Sequence, residues 1–461
     1  MKKYRKSITN IIVYVLKMLM YFSVLFTFIM VFGMENWALI KPSRTMATTT
    51  LTFIIVGLLM VAIYGKYDIG RRKSKPIIYS MVLAVLLTDV ITYLQLMIMN
   101  TITPDVKAFR LTHIWELLFV MFVQVVLIIV FVYFGNGIYF RLNPPEKCCI
   151  ITSKESDLEK LSRGIKKYQK QYEVLRVVDY RRTDLEKIIA KMDTVIMYNV
   201  PMTERTEIVN YCYEHLINIY INPEITDIVE NLAEHYLLDD VSMLNFNVEG
   251  LTLEQRFFKR AFDIVVSLVA IIISSPLWLI SAIAIKLGDG GPVFFKQKRA
   301  TRDGRVFHVY KFRTMKVNVE NRSAEADDDR ITKAGKILRK LRLDELPQFL
   351  NIFLGDMSFV GPRPEMLENV YSYTADLPEF KYRLRVKAGL TGYAQIAGKY
   401  NTSPKDKLIM DMMYIEKYSF WSDIKLCFQT LIVLLKSDST EGFQSSDDVF
   451  VVEETPSNVA K

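Results

Sequence analysis

Apolar residues in this chain come in two rhythms. Over the first 145 positions they run in long blocks: 11–34, 48–64, 76–100 and 114–140 each match or approach the ~20 residues a helix needs to cross a bilayer. The first block is too long for the core of a signal peptide, and no small-residue cleavage pattern follows it. From 146 to 245 the blocks shorten. Stretches 148–152, 174–178, 194–198 and 218–221 read as strands, separated by helical stretches 156–171, 184–191 and 204–216. That alternation predicts a small parallel sheet with flanking helices. The loop after its first strand, Ser153-Lys154-Glu155-Ser156, has no glycine, which argues against a dinucleotide site. A fifth long apolar block, 261–285, follows. Beyond it, 293–298 and 305–312 flank an Asp303-Gly304 hairpin turn. A basic helix with Lys333, Lys336, Arg339, Lys340 and Arg342 comes next, then an amphipathic run with Lys407, Asp411, Tyr414, Trp421 and Asp423 that ends near 435. The Ser-, Asp-, Glu- and Thr-rich residues from 437 predict a disordered tail.

Charge decides how the blocks sit. Lys2, Lys3, Arg5 and Lys6 precede the first block, and Lys66, Arg71, Arg72, Lys73 and Lys75 lie between the second and third. The positive-inside rule puts both on the cytoplasmic side, so four crossings return the chain to the cytoplasm. The fifth block has basic residues on both flanks: Arg256, Lys259 and Arg260 before it, Lys286, Lys296, Lys298 and Arg299 after it. Ser275-Pro276 stands at its middle, where proline removes a backbone donor. We therefore expect a helix broken at Ser275-Pro276 that enters the inner leaflet and turns back; an ordinary kinked span is the alternative. Hydrophobic residues make up 51% of the chain, with a mean hydropathy of +0.17 and a net charge of +9. No zinc-ligand spacing is present and the cations flank apolar runs, so lipid and phosphate are the expected partners, not nucleic acid. The four cysteines show no paired framework, which fits a reducing compartment. Asp89 falls within the third block, where a carboxylate suggests either function or a helix-packing contact, and no role is assigned to it.

The densest chemistry lies in Arg342-Leu343-Asp344-Glu345-Leu346-Pro347-Gln348. One of two adjacent carboxylates could act as nucleophile while the other moves protons. On a helix, successive residues point ~100° apart, so one can face a substrate and the next a second group. Like charges raise one pKa unless a cation intervenes, and Mg²⁺ would both relieve the pair and neutralise a diphosphate. In Gly361-Pro362-Arg363-Pro364-Glu365 a guanidinium held between prolines could grip a phosphate.

The ordered set Ser275-Pro276, Lys311-Phe312-Arg313-Thr314-Met315, Leu343-Asp344-Glu345-Leu346-Pro347-Gln348, Val360-Gly361-Pro362-Arg363-Pro364-Glu365 and Gly389-Leu390-Thr391-Gly392-Tyr393-Ala394-Gln395 resembles the bacterial sugar transferase family. These are monotopic polyprenyl-phosphate hexose-1-phosphate transferases, and the match spans about 255–437. With four spans and a soluble domain upstream, the chain is similar to the long members that initiate exopolysaccharide synthesis. The resemblance implies a hexose-1-phosphate moved from a UDP-sugar to undecaprenyl phosphate, with release of UMP. Asp344 would be the nucleophile that forms a phosphosugar-aspartyl intermediate, with Mg²⁺ bound near it. Glu345 would assist deprotonation of the acceptor, and Arg363, fixed by Pro362 and Pro364, would bind the nucleotide or phosphate. Lys311, Arg313 and Gln395 are further candidates for substrate or phosphate contacts.

The expected architecture is an α-helical membrane domain (1–145), a small α/β Rossmann-like domain (146–250) and a mostly α catalytic domain (251–437). The last carries a re-entrant helix (261–285) and a β-hairpin, and a tail (438–461) follows. The catalytic domain is expected on the cytoplasmic face of a bacterial inner membrane, in a chain whose size suits a homodimer. Three positions depart from the family pattern: Ala388 replaces a common proline, Thr301 a common glycine, and Gly398-Lys399 a common Gly-Arg. The competing class is an inactive membrane scaffold or regulator, which would be expected to have eroded the Asp-Glu or Pro-Arg-Pro residues. A transporter would need paired intramembrane polar residues, and only Asp89 and Lys17 are candidates.

Overall fold

Each of the four N-terminal blocks is a helix in the computed structural model, which describes residues 2–65, 67–100, 111–156, 158–246, 250–316, 328–398, 402–435 and 449–453. They are α1 (Lys2–Glu35), α2 (Arg44–Tyr64), α3 (Ser74–Asn100) and α4 (Ile114–Leu142). Packing turns Met20, Phe28, Phe53, Met81, Tyr93 and Ile128 inward, while Ile11, Phe22, Leu58, Trp115 and Phe122 stay exposed. So apolar an outer surface suits lipid. Asp89 is fully buried. Its Oδ1 accepts from Gln124 Nε2 at 3.2 Å, and the same amide donates to the Val24 carbonyl at 3.0 Å. One side chain of α4 thereby ties α3 to α1.

The chain divides into two compact units, Met1–Asn222 with Ser445–Lys461, and Pro223–Gln444. In the first, the alternating region forms β1 (Glu146–Thr152), α5 (Glu159–Lys166), β2 (Tyr172–Asp179), α6 (Leu185–Ile189), β3 (Thr194–Met197), α7 (Met202–Glu214) and β4 (Asn218–Ile221). The sheet is parallel throughout, in the order β2-β1-β3-β4. Strand β1 reads as an unbroken apolar run because both its faces are covered. Cys149 and Ile151 pack on one side, Ile150 on the other. The four cysteines are unpaired.

Two expectations need correction here. Residues 223–246, placed with the middle domain by the sequence, belong to the second unit. Ile225, Ile228 and Val229 of α8 (Ile225–Leu232) pack on Leu408 and Met412 there. An unforeseen hairpin follows, β5 (Glu234–Leu238) and β6 (Val241–Asn245), turning at Asp239 with φ 60°. The tail is not wholly without structure either. Residues 449–453 pack on the middle domain; the rest of 438–461 lies outside the described residues.

The second unit is organised around α9 (Leu253–Asp289), which holds the fifth apolar block. Thr252 and Gln255 cap its start reciprocally. The helix is not interrupted at Ser275-Pro276, contrary to the expected break. Pro276 has no N–H for the Ile272 carbonyl one turn back, and the Ser275 hydroxyl donates to that carbonyl at 2.8 Å instead. The Ser-Pro pair therefore keeps the backbone satisfied where water is scarce.

The rest of the unit grips both halves of α9. Near its start, Lys259 Nζ donates to the Val360 carbonyl (2.9 Å), Tyr414 Oη (3.0 Å) and Asp423 Oδ2 (2.6 Å). Asp263 Oδ1 accepts from Ser358 Oγ and the Phe359 N–H. Near its end, Ile285 and Trp278 pack with Phe312, Leu338, Leu343 and Leu346. These partners lie on the antiparallel hairpin β7 (Phe294–Ala300) and β8 (Val306–Phe312), on α10 (Lys333–Lys340) and on the turn after it. There follow α11 (Gln348–Leu354), β9 (Ser358–Val360), α12 (Leu367–Asp376), a 3₁₀ segment (Pro378–Arg385), β10 (Gly389–Thr391), α13 (Tyr393–Ala397), α14 (Pro404–Glu416) and α15 (Phe420–Leu435). Strands β9 and β10 pair in parallel.

Candidate active site

The carboxylate pair sits on a 3₁₀ turn (Leu343–Glu345), not on the α-helix its sequence suggested. Thr332 caps α10 by accepting from the Gly335 N–H. The helix ends, and Arg342 at φ 54° reverses the chain. Leu343 and Leu346 then anchor the turn on Ile285, Phe312 and Leu338. The half-buried Asp344 and Glu345 are thus held beside the C-terminal half of α9.

The two carboxylates have unlike surroundings. Lys311 Nζ, from β8, donates to Glu345 Oε1 at 3.0 Å, and Arg363 Nη2 reaches the same oxygen at 3.4 Å. Burial alone would push the Glu345 pKa up, but the two cations outweigh it and hold the group well below the usual carboxylate range. Asp344 has no ion pair or hydrogen bond to another side chain among the described residues. Burial raises its pKa, opposed by Lys311. Adjacent carboxylates whose pKa values are driven apart are suited to different roles.

Arg363 owes its place to backbone contacts. The Gly361 N–H donates to the Thr391 carbonyl and the Gly389 N–H to the Pro362 carbonyl, both at 2.8 Å. A Cβ on Gly389 would lie 2.1 Å from the Gly361 nitrogen, so glycine is what permits this approach. Arg299 Nη1 donates to the Pro364 carbonyl at 3.2 Å, and Arg383 Nη2 to the Arg363 carbonyl at 2.9 Å. Burial, with Arg363 nearby, pushes the Arg299 pKa down to about 10. Arg383 is itself buried against Asp411 (2.9 Å). Burial raises the Asp411 pKa to about 6 even so. Glu365 is held low by Arg383 and Lys407, which outweigh its burial. A small pocket beside the turn is lined by Thr301, Pro362, Arg363, Glu365, Arg383 and Ala388.

The structure thus brings Asp344, Glu345, Lys311 and Arg363 together, with Pro362 and Pro364 as carbonyl anchors. It does not bring Arg313 to the pair. That guanidinium lies against Gly291, where a Cβ would sit 2.3 Å from Nη1. Gln395 packs near Gly392, its side-chain amide atoms buried and without hydrogen-bond partners among the described residues. Sequence reasoning missed Arg299, Arg383, Glu365, Lys259 and Asp263 as supports of the Pro-Arg-Pro turn. The buried charge of Glu365 was visible inside its motif; Arg383 and Asp411, far apart in sequence, offered no local signal. Two of the departures explain each other. The Ala388 N–H, which proline would lack, donates to Thr301 Oγ1 at 3.1 Å, and that hydroxyl donates to the Asp356 carbonyl at 3.1 Å. Lys399 lies outside the described residues.

Residues 254–437 match the model of the family described as bacterial sugar transferase. Three relatives are similar to this chain. The UDP-N-acetylgalactosamine-undecaprenyl-phosphate N-acetylgalactosaminephosphotransferase of Aeromonas hydrophila is 42% identical over 185 residues, 39% of this chain and 44% of that protein. Galactosyl transferase CpsE of Streptococcus agalactiae is 30% identical over 309 residues, 62% and 66% of the two chains. The UDP-glucose:undecaprenyl-phosphate glucose-1-phosphate transferase of Caulobacter vibrioides is 38% identical over 189 residues, 39% and 71% of the two. The chain spans less than two thirds of the first two, and the region matched by the family model holds the carboxylate turn, the hairpin and the Pro-Arg-Pro loop. On the match of that region and the coverage of the Caulobacter protein, the chain belongs to the bacterial sugar transferase family.

Proposed function

We propose that this chain is a membrane enzyme that transfers a hexose-1-phosphate from a UDP-sugar to undecaprenyl phosphate, releasing UMP, as the first step of a surface polysaccharide. The observation that carries the reading is the Asp344 carboxylate, without an ion pair or side-chain hydrogen bond among the described residues, beside a neighbour already held by two cations. An Asp344 oxygen attacks the sugar-linked phosphorus, the bond to the uridine-bearing phosphate breaks, and UMP leaves with the electron pair. An oxygen of undecaprenyl phosphate then attacks the same phosphorus, and Asp344 departs as a carboxylate. A substrate diphosphate competes with Glu345 for Lys311 and Arg363. Losing those cations raises the Glu345 pKa, so the same carboxylate can take the acceptor's proton. Asp344 offers a hard oxygen donor with no competing side-chain ion pair among the described residues, which suits Mg²⁺ held jointly with substrate phosphates. The bound ion would neutralise diphosphate charge.

Purified Asp344→Ala with lipid acceptor and UDP-sugars should release no UMP, and full residual turnover would sink the assignment. Brief incubation of the wild type with labelled UDP-sugar and no acceptor should leave label on the protein; its absence would favour a single displacement. Chelating divalent ions should stop UMP release, and unchanged turnover would remove Mg²⁺ from the scheme. The relatives are named for N-acetylgalactosamine, galactose and glucose, so a screen of UDP-hexoses by UMP release identifies the donor.

The same reading puts the site on the cytoplasmic face of the inner membrane, with α9 bending at Ser275-Pro276 without losing its helical continuity so that it enters and leaves on one side. Among the described residues, five helices are long and apolar enough to cross a membrane. For α9, support comes from its contacts: both halves pack on one folded unit, while Val265, Ile272, Ile273 and Ile280 between them are exposed. A cysteine at the exposed hairpin turn (Asp303→Cys) in a cysteine-free chain should resist an impermeant reagent on intact cells. Labelling there would make α9 a full span.

A further inference from the structure

The middle domain is not accounted for by the transfer reaction, and its outer strand β2 is already occupied. The residues beside it come from the far end of the chain. Val449-Phe450-Val451-Val452-Glu453 runs along the free edge of β2 with the alternation of a strand. Phe450 and Val452 turn inward on Ile150, Leu158, Ile165 and Val177, whereas Val449 and Val451 are exposed. The Glu453 N–H donates to the Val177 carbonyl at 2.8 Å, and the Phe450 N–H to Ser162 Oγ on α5 at 2.9 Å. The Glu453 carboxylate is then taken by the Arg176 guanidinium through Nε and Nη2, with Arg182 Nη1 at 3.9 Å. One backbone hydrogen bond to the edge strand, two apolar anchors at alternate positions and a bidentate cation for one acid make up a peptide-recognition site.

We propose that the middle domain is a receptor for an extended segment of the pattern apolar-x-apolar-Glu, and that its occupant is this chain's own residues 449–453. Without that segment, β2 would present unpaired backbone groups and an apolar patch, the features that make sheet edges bind other chains. The catalytic unit, Pro223–Gln444, is bracketed in sequence by the two halves of this contact. The site therefore acts as a clasp that ties residues 449–453, which follow that unit in sequence, to the domain that precedes it in sequence. The inference is independent of the transfer chemistry.

The test uses the full chain, a chain stopped after Gln444, and a fluorescent peptide of residues 445–461, with both proteins in lipid nanodiscs and binding read by anisotropy. The stopped chain should bind the peptide saturably. The intact chain should bind it at least about tenfold more weakly, because its own tail competes at high effective concentration. Arg176→Ala in the stopped chain should weaken binding about three- to tenfold, the range for a partly exposed bidentate pair. Should the stopped chain fold poorly, intact Glu453→Ala serves instead and should open the site to added peptide. No saturable binding to either opened form, equal binding by intact and opened chains, or indifference to Arg176→Ala would each overturn the proposal.

Discussion

Lys259→Met tests whether the membrane helix is locked to the catalytic unit by charge. Lys259 and Asp423 are both buried, 2.6 Å apart, and Lys259 Nζ has two further acceptors in the Val360 carbonyl and Tyr414 Oη. Methionine keeps most of the side-chain volume but strands the Asp423 carboxylate, leaving it, among the described residues, the Tyr414 hydroxyl at 2.8 Å. Removing one member of a buried pair costs about 3–5 kcal/mol. At about 2–4 °C per kcal/mol for a unit of this size, the melting midpoint should fall by about 6–20 °C. Tryptophan fluorescence of detergent-solubilised protein can follow the transition. Burial already raises the Asp423 pKa, with Lys259 the chief opposing charge. Without Lys259 the neutral acid is favoured further, so the penalty falls on the ionised form. The deficit should therefore be largest near pH 8 and shrink as pH falls towards 5. Adding Asp423→Asn should restore much of the loss. A midpoint within about 2 °C of wild type, or no recovery in the double variant, would refute the reasoning.

Lys311→Met removes the closest cation from both carboxylates, so both pKa values should rise. Activity that needs ionised Asp344 should fall about 10²-fold in kcat/KM, with the acid limb of the UMP-release profile moved to higher pH; a superimposable profile would exclude this role. Gly389→Ala would place a Cβ 2.1 Å from the Gly361 nitrogen and 2.6 Å from its Cα. The β9–β10 pair must part, costing about 1–3 kcal/mol or more. The melting midpoint and UMP release should fall together, and wild-type values for both would show that the loop yields freely.

Much of the architecture was legible because it rests on local regularities. Apolar block length marked α1–α4, and the short alternation of 146–221 marked the parallel sheet almost strand by strand. Asp303-Gly304 marked its hairpin because both residues take positive φ, at 59° and 74°. What failed was non-local or lay in single residues. Pro276 should have broken α9, yet the Ser275 hydroxyl replaced the missing bond. The tail was read from its acidic composition, although Val449-Phe450-Val451-Val452 carried the period of a strand.

By itself, the sequence determined the long apolar helices, the order of the motifs and the adjacent carboxylates that the proposal builds on, since block length, turn chemistry and motif order are local. Only the tertiary structure decided which cations serve them. Lys311 and Arg363 both bond to Glu345, while Asp344 has no side-chain ion pair or hydrogen bond among the described residues, because the β7–β8 hairpin and the β9–β10 pair approach the Leu343–Glu345 turn from separate parts of the chain. The opposite pKa directions of two neighbouring carboxylates are a property of that convergence.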